Sequence, residues 1–371
     1  MFRIAIKTYF SSQLLIVILI ALVSSCKGKI TESSKESDKQ HQDSLTQSKT
    51  SSNSNQSFVF PQIHAHLKGM VSEFIFKALE DQKGNFWFCT NHDGVIKYDG
   101  NTLVNYSTKD GLGGDAVRSL IVDKLGLLWF GTSNGLTKFD GKNFTNFILG
   151  NNPQDNEIWS VAIDKDGIIW VGTNSGVSKF DGVKFTSFNV PKAEIHDAKP
   201  MLSPSRIGGI FIDSKGYIWF ITDGYGITKF DGKNFEFLTS NNGLTDNNVT
   251  SVFEDRKGNI WIGTFNNGVS KYDGQHYNNF TKNGTIKGSE VSSFCEDHKG
   301  NIWFSAEGLG AYKYDGKIFT LFTVKDGLTT NTIQHIYEDK KGQIWFCTWQ
   351  GISLYDGKSF KDVSENEPWT K

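Results

Sequence analysis

The chain has 371 residues, with 39 basic against 40 acidic side chains. That balance gives no electrostatic ground for binding nucleic acid, and no nucleic-acid partner is expected. Aromatic residues make up 13%, with 38 Gly and only 6 Pro, as many short aromatic-rich strands joined by Gly turns would require.

The first predicted element is a processing segment. Arg3 and Lys7 precede an apolar run over residues 14–23, too short for the ~20 residues that span a bilayer. The run ends in Leu22-Val23-Ser24-Ser25-Cys26. Small residues directly before a Cys in this setting resemble the lipobox of bacterial lipoproteins. The resemblance implies a signal peptide over 1–25, cleavage before Cys26, and lipidation of Cys26 that anchors the chain to a membrane. Lys27, rather than Asp, follows the Cys, which favours the outer membrane, on its periplasmic or its cell-surface side. Residues 26–57 then form a Ser/Lys/Gln-rich tether with little apolar surface to offset the entropy of ordering. The globular domain is expected over 58–371.

That domain is a repeat. Trp87, Trp129, Trp170, Trp219, Trp261, Trp303 and Trp345 are spaced 42, 41, 49, 42, 42 and 42 residues apart. Asp-Gly pairs beginning at Asp99, Asp140, Asp181, Asp231, Asp273, Asp315 and Asp356 keep step with them. Each copy holds four strand-like runs, in the second copy over 117–122, 127–131, 136–139 and 143–148. Four strands per copy of this length predict an all-β fold, a seven-bladed β-propeller with four antiparallel strands per blade. Ring closure is open between two segments. Residues 359–363 are the favoured outer strand of the last blade, and 57–60 are the alternative, with 58–66 otherwise packing along the ring edge.

One copy reads VTSVFEDRKGNIWIGTFNNGVSKYDGQHYNNF. This pattern resembles the two-component regulator propeller repeat, and the resemblance runs over about 71–363. It implies the fold and, through the periplasmic sensors of that family, glycan fragments as a ligand class. A kinase and an immunoglobulin-like domain, usual companions of such propellers, do not follow the ring in this sequence.

Repeated residues are expected to be architecture. One Trp per blade predicts packing between blades. The Asp two or three residues before a Gly predicts a turn, since its loop lacks the oxygen ligands of a calcium site. Strand direction puts these DxxG turns and the YDG turns on one face of the ring. On the other face the loops differ: NHDG, TSNG, TNSG, TDGYG, TFNNG, SAEGLG and TWQG. Variation among copies on one face predicts a specific surface there. Its candidate ligand-binding residues are Arg118, Trp159, Arg206, Tyr225, Phe265, Glu307 and Trp349, suited to a glycan or peptide, or to a periplasmic or outer-membrane partner protein. The longest connection, 189–207, adds His196 and Asp197 to that face.

No catalytic motif such as GxSxG, HExxH, GxxxxGK[ST] or CxxC occurs, so neither a catalytic residue nor a cofactor nor a metal site is expected. The paired His64 and His66 lack a third ligand. The resulting expectation is a non-enzymatic binding lipoprotein. The alternative is an enzyme: the run GNIWFSAEG around Trp303 resembles the repeats of the streptogramin B lyase family, and the resemblance implies a metal at the channel mouth with His92, His196 and Glu307 as the counterparts of its His and Glu residues. The three cysteines left after processing are Cys89, Cys295 and Cys347. Cys89 and Cys347 stand at the strand position that is Gly in WFGT, which predicts buried thiols, with a Cys89–Cys347 bridge as the alternative.

Overall fold

A computed structural model describes residues 75–363. Seven four-stranded antiparallel sheets follow one another, each made of consecutive strands. Blade 1 is Ile75–Glu80, Phe86–Thr90, Val95–Tyr98 and Leu103–Tyr106. The inner strands of blades 2 to 7 are Val117–Val122, Ile158–Ile163, Ile207–Ile212, Val249–Glu254, Phe294–Glu296 and Ile333–Glu338. The seven-bladed propeller is therefore as expected. The outer strand of blade 7 is Phe360–Asp362, paired with Gly351–Tyr355, which is the favoured closure. The processing segment, Cys26, the tether, His64 and His66, and the edge segment 58–66 lie outside the described residues.

The repeated Trp and Asp turn out to be one device. In every blade the indole N–H donates to the turn Asp six residues earlier: Trp87 to Asp81, Trp129 to Asp123, Trp170 to Asp164, Trp219 to Asp213, Trp261 to Asp255, Trp303 to Asp297 and Trp345 to Asp339, all at 2.8–2.9 Å. The other oxygen of the carboxylate caps the turn, as Asp81 Oδ1 does for the N–H groups of Lys83 and Asn85. Those bonds satisfy the indole inside the sheet and hold the Asp81 carboxyl below its usual range despite its burial. The Trp body packs on the next blade: Trp87 clusters with Val117, Phe130 and Phe139.

Inner strands are stitched laterally as well. Ser119 Oγ accepts from Val161 N–H, and Ser160 Oγ accepts from Ile210 N–H. Between blades 6 and 7, Ser293 Oγ accepts from Ile336 N–H and lies 3.2 Å from His335 Nδ1. His335 Nε2 in turn meets Ala78 O at 3.2 Å, so one imidazole joins blades 6, 7 and 1. Closure of the ring has no shared strand among the described residues. It rests on Ile75, Ala78, Phe88 and Ile96 packed against Trp345, Cys347 and Ile352.

The Gly of WFGT has a packing cause. A Cβ on Gly131 would meet Ile158 Cγ2 of the next blade at 2.6 Å. Cys89 and Cys347 fill the same position in blades 1 and 7, where both are fully buried free thiols. They belong to different interblade clusters and form no bridge. Burial pushes the Cys89 thiol up to about 12, which makes it a packing group and not a nucleophile.

Candidate functional site

The variable face is built from a repeated clasp. The residue after the second strand donates its N–H to the carbonyl just ahead of the inner strand. Examples are Ser133 to Ala116, Asp223 to Arg206, Phe265 to Asn248 and Trp349 to Thr332, and in blade 6, whose inner strand starts later at Phe294, Glu307 to Glu290, all at 2.8–3.3 Å. Backbone bonds hold these pairs, so their side chains are free to differ between blades. Phe265, Glu307 and Trp349 thus occupy one equivalent place in blades 5, 6 and 7. Arg118 and Trp159 share another, the second residue of the inner strand.

Three of the expected residues come together. The Arg118 guanidinium lies 4.3 Å and that of Arg206 lies 4.1 Å from the Trp159 ring centre. Cation–π attraction of this kind strengthens when the pair is withdrawn from water. The Arg118 side chain is 5% exposed and that of Arg206 13%. Arg206 reaches this position because blade 4 has Gly208 where blade 2 has Arg118. A Cβ there would stand 3.3 Å from the Arg206 guanidinium.

Two acids that sequence reasoning missed complete the cluster. Glu157 Oε1 pairs with Arg118 Nη2 at 3.1 Å, and its Oε2 accepts from Asn174 Nδ2 at 2.8 Å. Asp223 lies 3.6 Å from Arg206 Nη1 while accepting N–H bonds from Met201, Leu202 and Ser203. Those bonds pin the long connection onto blade 4. Close packing of the connection also explains Gly224, whose φ is +80° and whose Cβ would meet Pro200 N at 2.6 Å. Little in the sequence signals them: Glu157 has a counterpart in Glu290 of blade 6, and Asp223 stands at a place that differs in nearly every blade.

The two carboxylates are therefore engaged, while Asn174 Oδ1 and several donors are not. Arg118 Nε and Nη1, Arg206 Nε and Trp159 Nε1 are buried without a protein partner among the described residues. Burial lowers the pKa of Arg118 and is opposed by Glu157. Burial likewise lowers that of Arg206; Asp223 opposes it and the Arg118 charge adds to it. Guanidinium groups remain protonated under such shifts.

The other candidates sit apart from this cluster in blade assignment. Tyr225 is half-buried in the blade 4 tip, with Lys192 Nζ 5.1 Å over its ring. Phe265 and Trp349 are half-buried. For the enzyme alternative, the His196 side chain is 94% exposed and pairs at 3.2 Å with Asp197 beside it. Among the described residues no group of three or more His, Cys, Asp or Glu side chains is arranged to hold a metal ion.

Comparison with known proteins follows this geometry. Segments 111–134, 152–175, 243–266, 285–308 and 327–350 match the two component regulator propeller family. Blade 1 and blade 4, the latter with its long connection and Gly208-Gly209, are not among them. No curated protein matches the chain. Among solved structures it is similar to the extracellular domain of a hybrid two component system from B. thetaiotaomicron, at 21% identity and TM-score 0.65, covering 79% of this chain and 41% of that one. It is similar to streptogramin B lyase at 16% identity and TM-score 0.62, covering 76% and 93%. PorZ, a surface component of the type-IX secretion system of Porphyromonas gingivalis, gives 18% identity and TM-score 0.60, covering 77% and 47%. The chain spans less than half the length of the first and third of these. At such identities the likeness is one of fold. The chain is a seven-bladed propeller in which five blades carry the two component regulator propeller repeat.

Proposed function

We propose that this propeller is a non-enzymatic binding protein that holds a glycan, a peptide or a partner protein on its variable face. The observation that carries the reading is the Arg118–Trp159–Arg206 cluster, whose four buried N–H donors lack protein partners. Buried donors without acceptors are costly, so a site that keeps them gains by meeting an acceptor-bearing ligand. The extracellular sensor domain and the secretion component PorZ, with the same fold, support a ligand or partner outside the cytoplasm.

Binding of glycan and peptide panels to the purified chain tests this. Trp159→Ala and Trp349→Ala are each expected to lose the ligand while keeping a cooperative unfolding transition. Normal binding by both variants sinks the assignment of the face. The envelope part of the proposal is a lipid anchor on Cys26, expected to hold the chain in the outer membrane. Replacing Cys26→Ala should release it into the soluble fraction, and retention in the membrane would refute the anchor.

A further inference from the structure

We infer that the Arg118–Trp159–Arg206 cluster docks a carboxylate group of the ligand; this rests on the variable face being the binding face. Donors dominate the unpartnered atoms of the cluster: Arg118 Nε and Nη1, Arg206 Nε and Trp159 Nε1 stand against Asn174 Oδ1. Both Glu157 oxygens are engaged, by Arg118 and by Asn174, and Asp223 is shared among three backbone N–H groups and Arg206. Four N–H donors on Arg118, Arg206 and Trp159 are left over. A group that only accepts fits such a site, and a deprotonated carboxylate is acceptor-only. Hydroxyl-rich neutral sugars bring several donors, and among the described residues the cluster offers them one unpartnered acceptor, Asn174 Oδ1.

Charge limits the guest further. The Arg118 charge opposes that of Arg206, and an anionic acceptor at their unpartnered donors relieves that repulsion. Arg118 and Arg206 are formally balanced by Glu157 and Asp223. Because that balance leaves no net positive charge to neutralise, a singly charged group costs less there than a dianion, which would bring a second unmatched charge into a buried place. The indole of Trp159 has cations over it, so it orients the two guanidinium groups instead of serving as a bare platform for a sugar ring.

The other blades show that this is not a packing requirement. Blades 5 and 7 form the same inner-strand geometry with Thr250 and Gln334 where blades 2 and 3 have Arg118 and Trp159. Strand pairing is common to these four blades and the clasp to blades 2, 5 and 7, so the pair of arginines is additional to what the fold needs.

Ligand-induced stabilisation of the full chain is the test, with the ionic strength held constant. The probes are glucuronate against glucose, and N-acetylglycine against its amide, each at about 10 mM. A carboxylate that binds the folded chain with millimolar affinity raises the unfolding midpoint by about 3 °C. At least one acid is expected to do so while its neutral counterpart does not, and which acid does so tells a sugar source from a peptide source. Arg118→Gln and Arg206→Gln, each compared with its own midpoint without probe, are expected to lose the shift. The inference is overturned if neither acid exceeds its neutral counterpart, or if the shift persists in both variants. If the acids fail while a neutral glycan binds in a Trp159-dependent way, carboxylate docking falls and the binding face stands.

Discussion

At the last residue of the inner strand, blades 5, 6, 7 and 1 carry Glu254, Glu296, Glu338 and Glu80, whereas blades 2, 3 and 4 carry Val122, Ile163 and Ile212. Each Glu reaches the turn of the preceding blade. Glu254 accepts from Ser214 N–H and Oγ, Glu296 from Arg256 N–H, Glu338 from His298 N–H and Glu80 from Lys340 N–H. Blades 2 to 4 lack these acids on the turn face and instead hold Arg118, Glu157, Arg206 and Asp223 on the variable face. One repeat thus supports two charge arrangements on opposite faces. Charge on the turn face ties neighbouring blades together, as its regular recurrence shows. The charge at the mouth follows no repeat, and a scaffold explanation does not reach it.

The largest effect expected of that division is on the scaffold side. Trp303 is fully buried and bonded to Asp297, so Trp303→Ala should cost about 3–5 kcal/mol in a denaturant titration. A loss under ~1 kcal/mol would remove the Trp–Asp pair from the architecture. On the other side, Glu157→Ala leaves Arg118 buried without its carboxylate, and should cost about 3 kcal/mol. Replacing Arg118 and Glu157 together should recover most of it. A double variant as unstable as the single one would contradict the pairing.

A pH dependence follows from His335. Burial, aided by the nearby Lys77 charge, lowers its pKa to about 3, against an ordinary value of 6.5. The unfolded chain therefore takes up a proton near pH 6.5 that the folded chain refuses. Its stabilising effect is complete above pH 6.5 and is lost as pH falls towards 3, by roughly 2 kcal/mol at pH 5. His335→Gln should flatten that part of the curve, and an unchanged profile would place the titration elsewhere. The smallest effect is expected of Glu80→Ala. Its partner Lys340 is 58% exposed, so solvent screens the pair and the loss should be about 0.5–1 kcal/mol. A larger loss would mean that ring closure depends on this contact more than on the apolar cluster around Ile75.

The fold was legible because every copy repeats the spacing of Trp, DxxG and Asp-Gly, and such spacing leaves few architectures open. Closure through 360–362 was legible for the same reason, as the fourth run of the last copy. The Trp–Asp bond was not, although both residues were singled out. The six-residue step between them joins a turn to a strand, and each had a sufficient explanation alone. The mouth was half legible. Arg118, Trp159 and Arg206 stood out as departures from the pattern, but their stacking depends on Gly208 leaving room and on contacts across 41 to 47 residues of chain. Glu157 and Asp223 were passed over because an acid beside a loop looks like a solvated surface residue until its partners are seen.

Hydrogen exchange of the intact chain, with and without a ligand from the binding panels, tests the division of the two faces most directly. The expected result is added protection at 116–119, 157–160 and 206–208, with the DxxG and YDG turns unchanged. Protection confined to those turns would contradict it.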